Sequence, residues 1–139
     1  MTIMPEPRIY TVEEANALIP WVRDRLSKAV EAADEMGANQ RNLRTLERQT
    51  KRNGVHDVTP RISEADSTVQ ESIHEVQRFI REVQAKDIQV RDISIGLVDF
   101  PAERDGRRIW LCWRFSDPEI LYWHELNSGF RDRRPLDSD

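Results

Sequence analysis

The sequence of 139 residues predicts an α+β fold, with a long antiparallel helical hairpin over 11–86 followed by a three-stranded antiparallel β-meander over 87–136. Three observations carry this. Apolar residues recur at spacings of three and four from Val12 to Val83, interrupted by one connector. After residue 87 the pattern becomes alternation and short apolar runs. Of the 10 aromatic residues, 7 fall between Phe100 and Phe130. The two periods, 3.6 and 2, distinguish helix from strand. No repeat, low-complexity stretch or sharp compositional shift divides the chain, so a single domain over 1–139 is expected.

The first helix starts at Thr11-Val-Glu-Glu14, which has the spacing of a capping box: hydroxyl and carboxylate satisfy amides that a helix start leaves without partners. Val12, Ala15, Leu18, Ile19, Val22, Leu26, Ala29, Val30, Ala33 and Met36 form one apolar stripe. Pro20 interrupts it, and an interior proline costs about 3 kcal/mol. The expectation is a kink, or a short helix followed by a second with Pro20 in its first turn. Beyond Gly37 the stripe thins to Gln40, Leu43 and Leu46 in the same phase, which allows one helix to about Arg52. Asn53-Gly54 signals a turn, and the stretch to Pro60 reads as a connector. From Ile62 the stripe resumes with Ala65, Val69, Ile73, Val76, Phe79, Ile80 and Val83, ending near Lys86. Helices of this length, rising about 1.5 Å per residue, make a hairpin arm of about 40 Å with one sticky face, its base packed on the meander.

The strand candidates are Leu97–Phe100, Ile109–Phe115 and Ile120–His124, rich in aromatic and branched residues. Asp105-Gly106 favours a two-residue type I′ loop, and such a loop fixes register. Arg104 then pairs with Arg107, and Asp99 stands opposite Cys112. Leu97, Asp99, Trp110, Cys112 and Arg114 share one face. Val98, Phe100, Leu111, Trp113 and Phe115 share the other, which reads as core. In the second hairpin, a four-residue loop places His124 on the core-like face, whereas a five-residue loop places it opposite Cys112.

In that second register Asp99, Cys112 and His124 form a row across three strands. Neighbouring Cβ atoms would lie about 5 Å apart, near enough for carboxylate, thiolate and imidazole to share zinc or another transition-metal ion. Plainer readings accompany each member: Cys112 as a small buried hydrophobe, His124 as a hydrogen-bonded sheet residue, and Asp99 as the diagonal ion-pair partner of Arg114. A Cys-His nucleophile-base pair is a further reading, though no oxyanion-hole loop accompanies it. Glu71-Ser-Ile-His74 has the spacing of half a di-iron motif, but Ile73 rather than His74 lies on the apolar stripe. His56 falls in the connector. No phosphate-loop, dinucleotide or haem-attachment motif is present.

Charged residues make up 33% of the chain and the net charge is −4. The basic residues are 18 Arg and 3 Lys, and the halves 1–89 and 90–139 carry −2 each with signs interleaved. Nucleic-acid binders segregate positive charge, so that class is disfavoured. The Arg131, Arg133 and Arg134 cluster reads as a solvated tail. One cysteine cannot form an intramolecular disulfide, which suits a reducing, cytoplasmic setting. No apolar run approaches a bilayer span, and Met1-Thr-Ile-Met-Pro-Glu-Pro lacks the regions of a secretion signal.

Tyr10-Thr-Val-Glu-Glu-Ala-Asn-Ala-Leu-Ile-Pro20, Gly96-Leu-Val-Asp-Phe-Pro101, Trp110-Leu-Cys-Trp113, Tyr122-Trp-His-Glu125 and Gly129-Phe130 resemble a known family. The chain is similar, from Tyr10 to Leu136, to the small uncharacterised prokaryotic proteins grouped as domain-of-unknown-function family 2203. The resemblance implies no activity, cofactor or partner, but its motifs coincide with Asp99, Cys112 and His124. Two functional classes remain. One is a dimeric structural or interaction module, since a two-helix arm covers its apolar stripe most simply with a second copy. The other is a metal- or small-molecule-binding protein, with or without catalysis, that uses Asp99, Cys112 and His124. Convergence of these three favours binding, and scatter favours the module.

Overall fold

The computed structural model describes residues 8–53 and 59–137. Two helices, α1 (Val12–Asn53) and α2 (Thr59–Gln84), precede a five-stranded antiparallel sheet in sequential order: β1 (Gln89–Asp92), β2 (Leu97–Arg104), β3 (Arg107–Trp113), β4 (Tyr122–Glu125) and β5 (Arg134–Pro135). The expected meander is thus flanked by two further strands. β1 and β5 are short edge strands, mostly exposed, so neither carries the hydrophobic alternation that marks a half-buried strand.

The capping box forms as the spacing requires. Thr11 N–H donates to Glu14 Oε1 at 2.9 Å and Glu14 N–H to Thr11 Oγ1 at 3.0 Å, and these bonds hold the Glu14 carboxyl below its ordinary range. Thr11→Ala should cost about 1 kcal/mol, read from urea unfolding; an unchanged midpoint would mean that the box adds nothing. α1 runs unbroken through Pro20, so the division into two helices does not occur. Pro20 is exposed, which keeps its ring out of the packed face. Pro60 belongs to the first turn of α2 rather than to the connector, a position where its missing N–H is no loss. Gly54 and His56 lie outside the described residues.

The chain forms two compact units. One comprises residues 28–79, where the two helices run antiparallel. Ala29, Ala32, Ala65, Val69 and Phe79 are buried there, and Asn39 Nδ2 donates to Ser72 Oγ at 2.9 Å. The other comprises residues 80–139 with 1–27. Its core joins Ala15, Ile19, Val22 and Leu26 of α1 and Val83 of α2 to the sheet face of Val98, Phe100, Ile109, Leu111, Trp113 and Trp123. The face assigned to the core from alternation is therefore the one that is packed. Tyr10 ties down the segment that enters α1: its N–H donates to Pro101 O at 2.8 Å and its hydroxyl to Lys86 O at 2.6 Å.

At the β2–β3 turn, Asp105 and Gly106 have φ of 53° and 77°. Positive values at both positions define the type I′ loop, and Arg104 pairs with Arg107. A second tight connection joins β1 to β2. Asp92 Oδ1 accepts from Ser94 N–H at 2.9 Å, and the turn closes at Gly96 with φ 66°.

Candidate functional site

The register of the first hairpin places Asp99 of β2 opposite Cys112 of β3. The second hairpin adopts neither register considered from sequence: Cys112 faces Tyr122, and His124 faces Trp110. Relative to the five-residue-loop register, β4 is displaced by two residues, and an even displacement keeps a side chain on the same face. His124 therefore still stands on the face of Asp99 and Cys112. One ligand atom from each of the three residues lies within 4.8 Å of the others. All three are buried, with Asp99 3%, Cys112 0% and His124 1% exposed.

The face is buried because the segment between β4 and β5 lies against it. Arg133 stacks over the rings of Tyr122 and Phe130, at 3.9 and 4.6 Å, and Arg114 lies 4.7 Å over Phe130. Arg133 Nη1 donates to Asp117 Oδ2 at 2.9 Å, and its side chain is only 12% exposed. This corrects the reading of Arg133 as part of a solvated tail. Stacking on aromatic faces while donating in plane is chemistry that guanidinium performs and ammonium does not, which gives part of the Arg excess a structural reason. Asp117 is 6% exposed and also accepts from Arg114 N–H at 3.2 Å.

Asp99 does not pair with Arg114. Its Oδ2 accepts from Arg91 Nε at 2.9 Å, and its Oδ1 faces His124 Nε2 at 3.0 Å. Arg91 sits on β1, a strand without a sequence signal, so this partner was not legible. The other ring nitrogen of His124, Nδ1, lies 2.9 Å from Glu125 O. Both nitrogens thus face oxygens that accept hydrogen bonds, whereas a neutral imidazole carries only one N–H. With Nδ1–H donating to Glu125 O, Nε2 presents its lone pair to the carboxylate.

Burial pushes the Cys112 thiol up to about 12, the Asp99 charge adding to the effect and Arg133 opposing it. At neutral pH the free side chain is therefore S–H, and His124 directs Nε2 to Asp99 rather than to the thiol. Neither fact favours the Cys-His nucleophile reading, because thiolate is the reactive form. The folded state holds the thiol proton more tightly than the ordinary value near 9 implies. Stability from this group is complete below pH 9 and is lost as pH rises through about 12. In the metal-free chain, Cys112→Ala should flatten the loss of stability over that alkaline range in urea titrations. Equal slopes for the variant and the parent would contradict the assignment.

Glu71 and His74 are both exposed. Among the described residues no other group of three His, Cys, Asp or Glu side chains converges as Asp99, Cys112 and His124 do. No helix of the described residues is long and apolar enough to cross a membrane. A family model described as an uncharacterized conserved protein (DUF2203) matches residues 8–136. No curated protein matches the chain, and no solved structure does.

Proposed function

The chain belongs to this uncharacterised family across nearly its whole length; since the family brings no activity with it, we propose from the geometry that the protein binds a transition-metal ion through Asp99, Cys112 and His124. The observation that carries this reading is the His124 imidazole, whose Nε2 faces the Asp99 carboxylate at 3.0 Å while Nδ1 is engaged by Glu125 O. A neutral ring has one N–H for these two acceptors, so the pair is completed either by a metal ion or by a second proton. Cys112 offers the third donor within the same 4.8 Å. A backbone carbonyl on the non-ligating nitrogen is also how metal-binding histidines are oriented.

A sulfur, a nitrogen and an oxygen donor suit zinc, which is borderline-soft and has no strong geometric preference. Three protein ligands leave one position open, the pattern of sites that act on a ligand rather than merely brace a fold. Binding displaces the Cys112 proton to solvent, so affinity rises with pH. The competing occupant of the gap is a proton on Nε2, which would make the pair an imidazolium-carboxylate ion pair.

Elemental analysis of chain purified without a metal-affinity tag, followed by zinc titration, separates the two. One equivalent of zinc is expected, with absorption fine structure giving about 2.3 Å to sulfur and 2.0 Å to nitrogen. Cys112→Ser and His124→Ala should each abolish stoichiometric binding while leaving the helical circular dichroism in place. A chain that takes up no metal, or variants that bind it like the parent, would leave the proton as the occupant.

A second reading, that the helical hairpin forms a homodimer or docks a protein partner, has its own support. Met36, Leu43 and Leu46 of α1 and Ile62 and Ile73 of α2 remain only half-buried, as expected when each helix has a single neighbour to cover it. No large apolar side chain described between residues 28 and 79 is among the well-exposed ones, so the face offered is modest. Light scattering coupled to size exclusion should give twice the chain mass; a monomer at micromolar concentration would remove the homodimer.

A further inference from the structure

Of the three cluster residues, Asp99 lines a cavity of about 400 Å³, together with Arg91, Leu97 and the segment from Leu126 to Phe130. That volume lies at the small end for ligand clefts, so it suits a small molecule rather than a polymer. Arg91 is its cationic wall. Its Nε is engaged by Asp99 at 2.9 Å, and its guanidinium lies 5.2 Å over the Trp110 ring. Among the described residues neither Nη atom of Arg91 has a hydrogen-bond partner. Two contacts thus orient a fork whose outer donors remain unused. Leu97, Leu126 and Phe130 supply an apolar wall, and Leu126 is 53% exposed.

We infer that this cavity takes a small carboxylate with an apolar body. One carboxylate oxygen completes the coordination of the metal, and the other accepts from Arg91. The inference rests on the metal reading given above. An anionic oxygen suits the outer guanidinium donors that Asp99 leaves unused, and an apolar body accounts for the leucine and phenylalanine wall. Without metal, the Asp99 charge offsets that of Arg91 and an anion gains little. With a divalent ion held by one carboxylate and one thiolate, Arg91 leaves the site net positive. Metal and carboxylate binding are therefore coupled, each raising the affinity for the other.

The probe is benzoate, titrated calorimetrically into the full chain with and without one equivalent of zinc, with acetate and inorganic phosphate as comparisons. The zinc-loaded chain is expected to bind benzoate at least about tenfold more tightly than the zinc-free chain. Arg91→Gln should weaken benzoate about tenfold with zinc still bound. Leu126→Ser should weaken benzoate about threefold or more and leave acetate unchanged. Phosphate as tight as benzoate, or Arg91→Gln behaving like the parent, would overturn the inference. A zinc-loaded chain that ignores benzoate at about 10 mM overturns this inference alone. A chain that takes up no zinc overturns the metal reading and this inference together.

Discussion

Asp99→Ala is expected to lower the unfolding free energy of the metal-free chain by about 2–4 kcal/mol, read from urea unfolding followed by circular dichroism. The effect is large because of what remains behind. His124 is 1% exposed, so with the carboxylate gone its Nε2 is buried without a partner. Arg91 contributes less, since its side chain is 44% exposed and can rehydrate. Cys112 loses a neighbouring charge that disfavours its thiolate. Asp99→Asn keeps the shape and one acceptor oxygen, so it should recover part of the loss in stability. It should not recover zinc binding, because an amide is a poor ligand beside a thiolate. A change below about 1 kcal/mol for Asp99→Ala would show that the carboxylate is not what holds the second face together.

Gly96→Ala should cost about 2–4 kcal/mol, from two separable sources. The residue sits at φ 66°, and a Cβ built there would lie 2.3 Å from Phe115 Cδ1 and 2.4 Å from Cγ. The backbone is also tied from both sides, with Gly96 N–H donating to Ile93 O at 3.1 Å and Phe115 N–H to Ile95 O at 3.0 Å. It cannot retreat without breaking a bond. Adding Phe115→Ala to Gly96→Ala should remove the steric part and leave about 1–2 kcal/mol of left-handed strain. A double-mutant cycle with no coupling would mean that ring and Cβ never compete. The same position governs the site, because this turn joins β1, which carries Arg91, to β2, which carries Asp99.

The sequence was most informative where the determinant is local. The capping box at Thr11 and Glu14, the two helical stripes and the type I′ turn at Asp105-Gly106 are each set by residues a few positions apart. That turn delivered the pairing of Asp99 with Cys112 as a consequence of parity. The core face of β2 and β3 followed from the same counting. The family motifs coincided with this pair and with His124, and the family match over 8–136 agrees with them.

What only the tertiary structure decided lies where distant residues compete. The chain between β3 and β4 carries no two-residue turn to set its register. It is held by Trp113 Nε1 donating to Asp117 O at 3.1 Å, by Arg133 on Asp117 and by Ile120 N–H donating to Asn16 Oδ1 at 2.8 Å, a partner 104 residues away. No local spacing encodes the last two, so the register of β4, and with it the face of His124, was known only from the folded chain. The edge strands β1 and β5 escaped for a related reason. They owe their pairing to neighbours already in place, not to an apolar period of their own. Arg133, which stacks over Tyr122, therefore read as part of a solvated tail, and Arg91, which bonds Asp99, carried no signal in the sequence. Short-range chemistry determined which side chains of β2 and β3 share a face; long-range packing placed His124 with them and determined which of them touch, because a buried carboxylate, thiol or guanidinium takes its partner from whatever the folded chain brings within hydrogen-bonding reach.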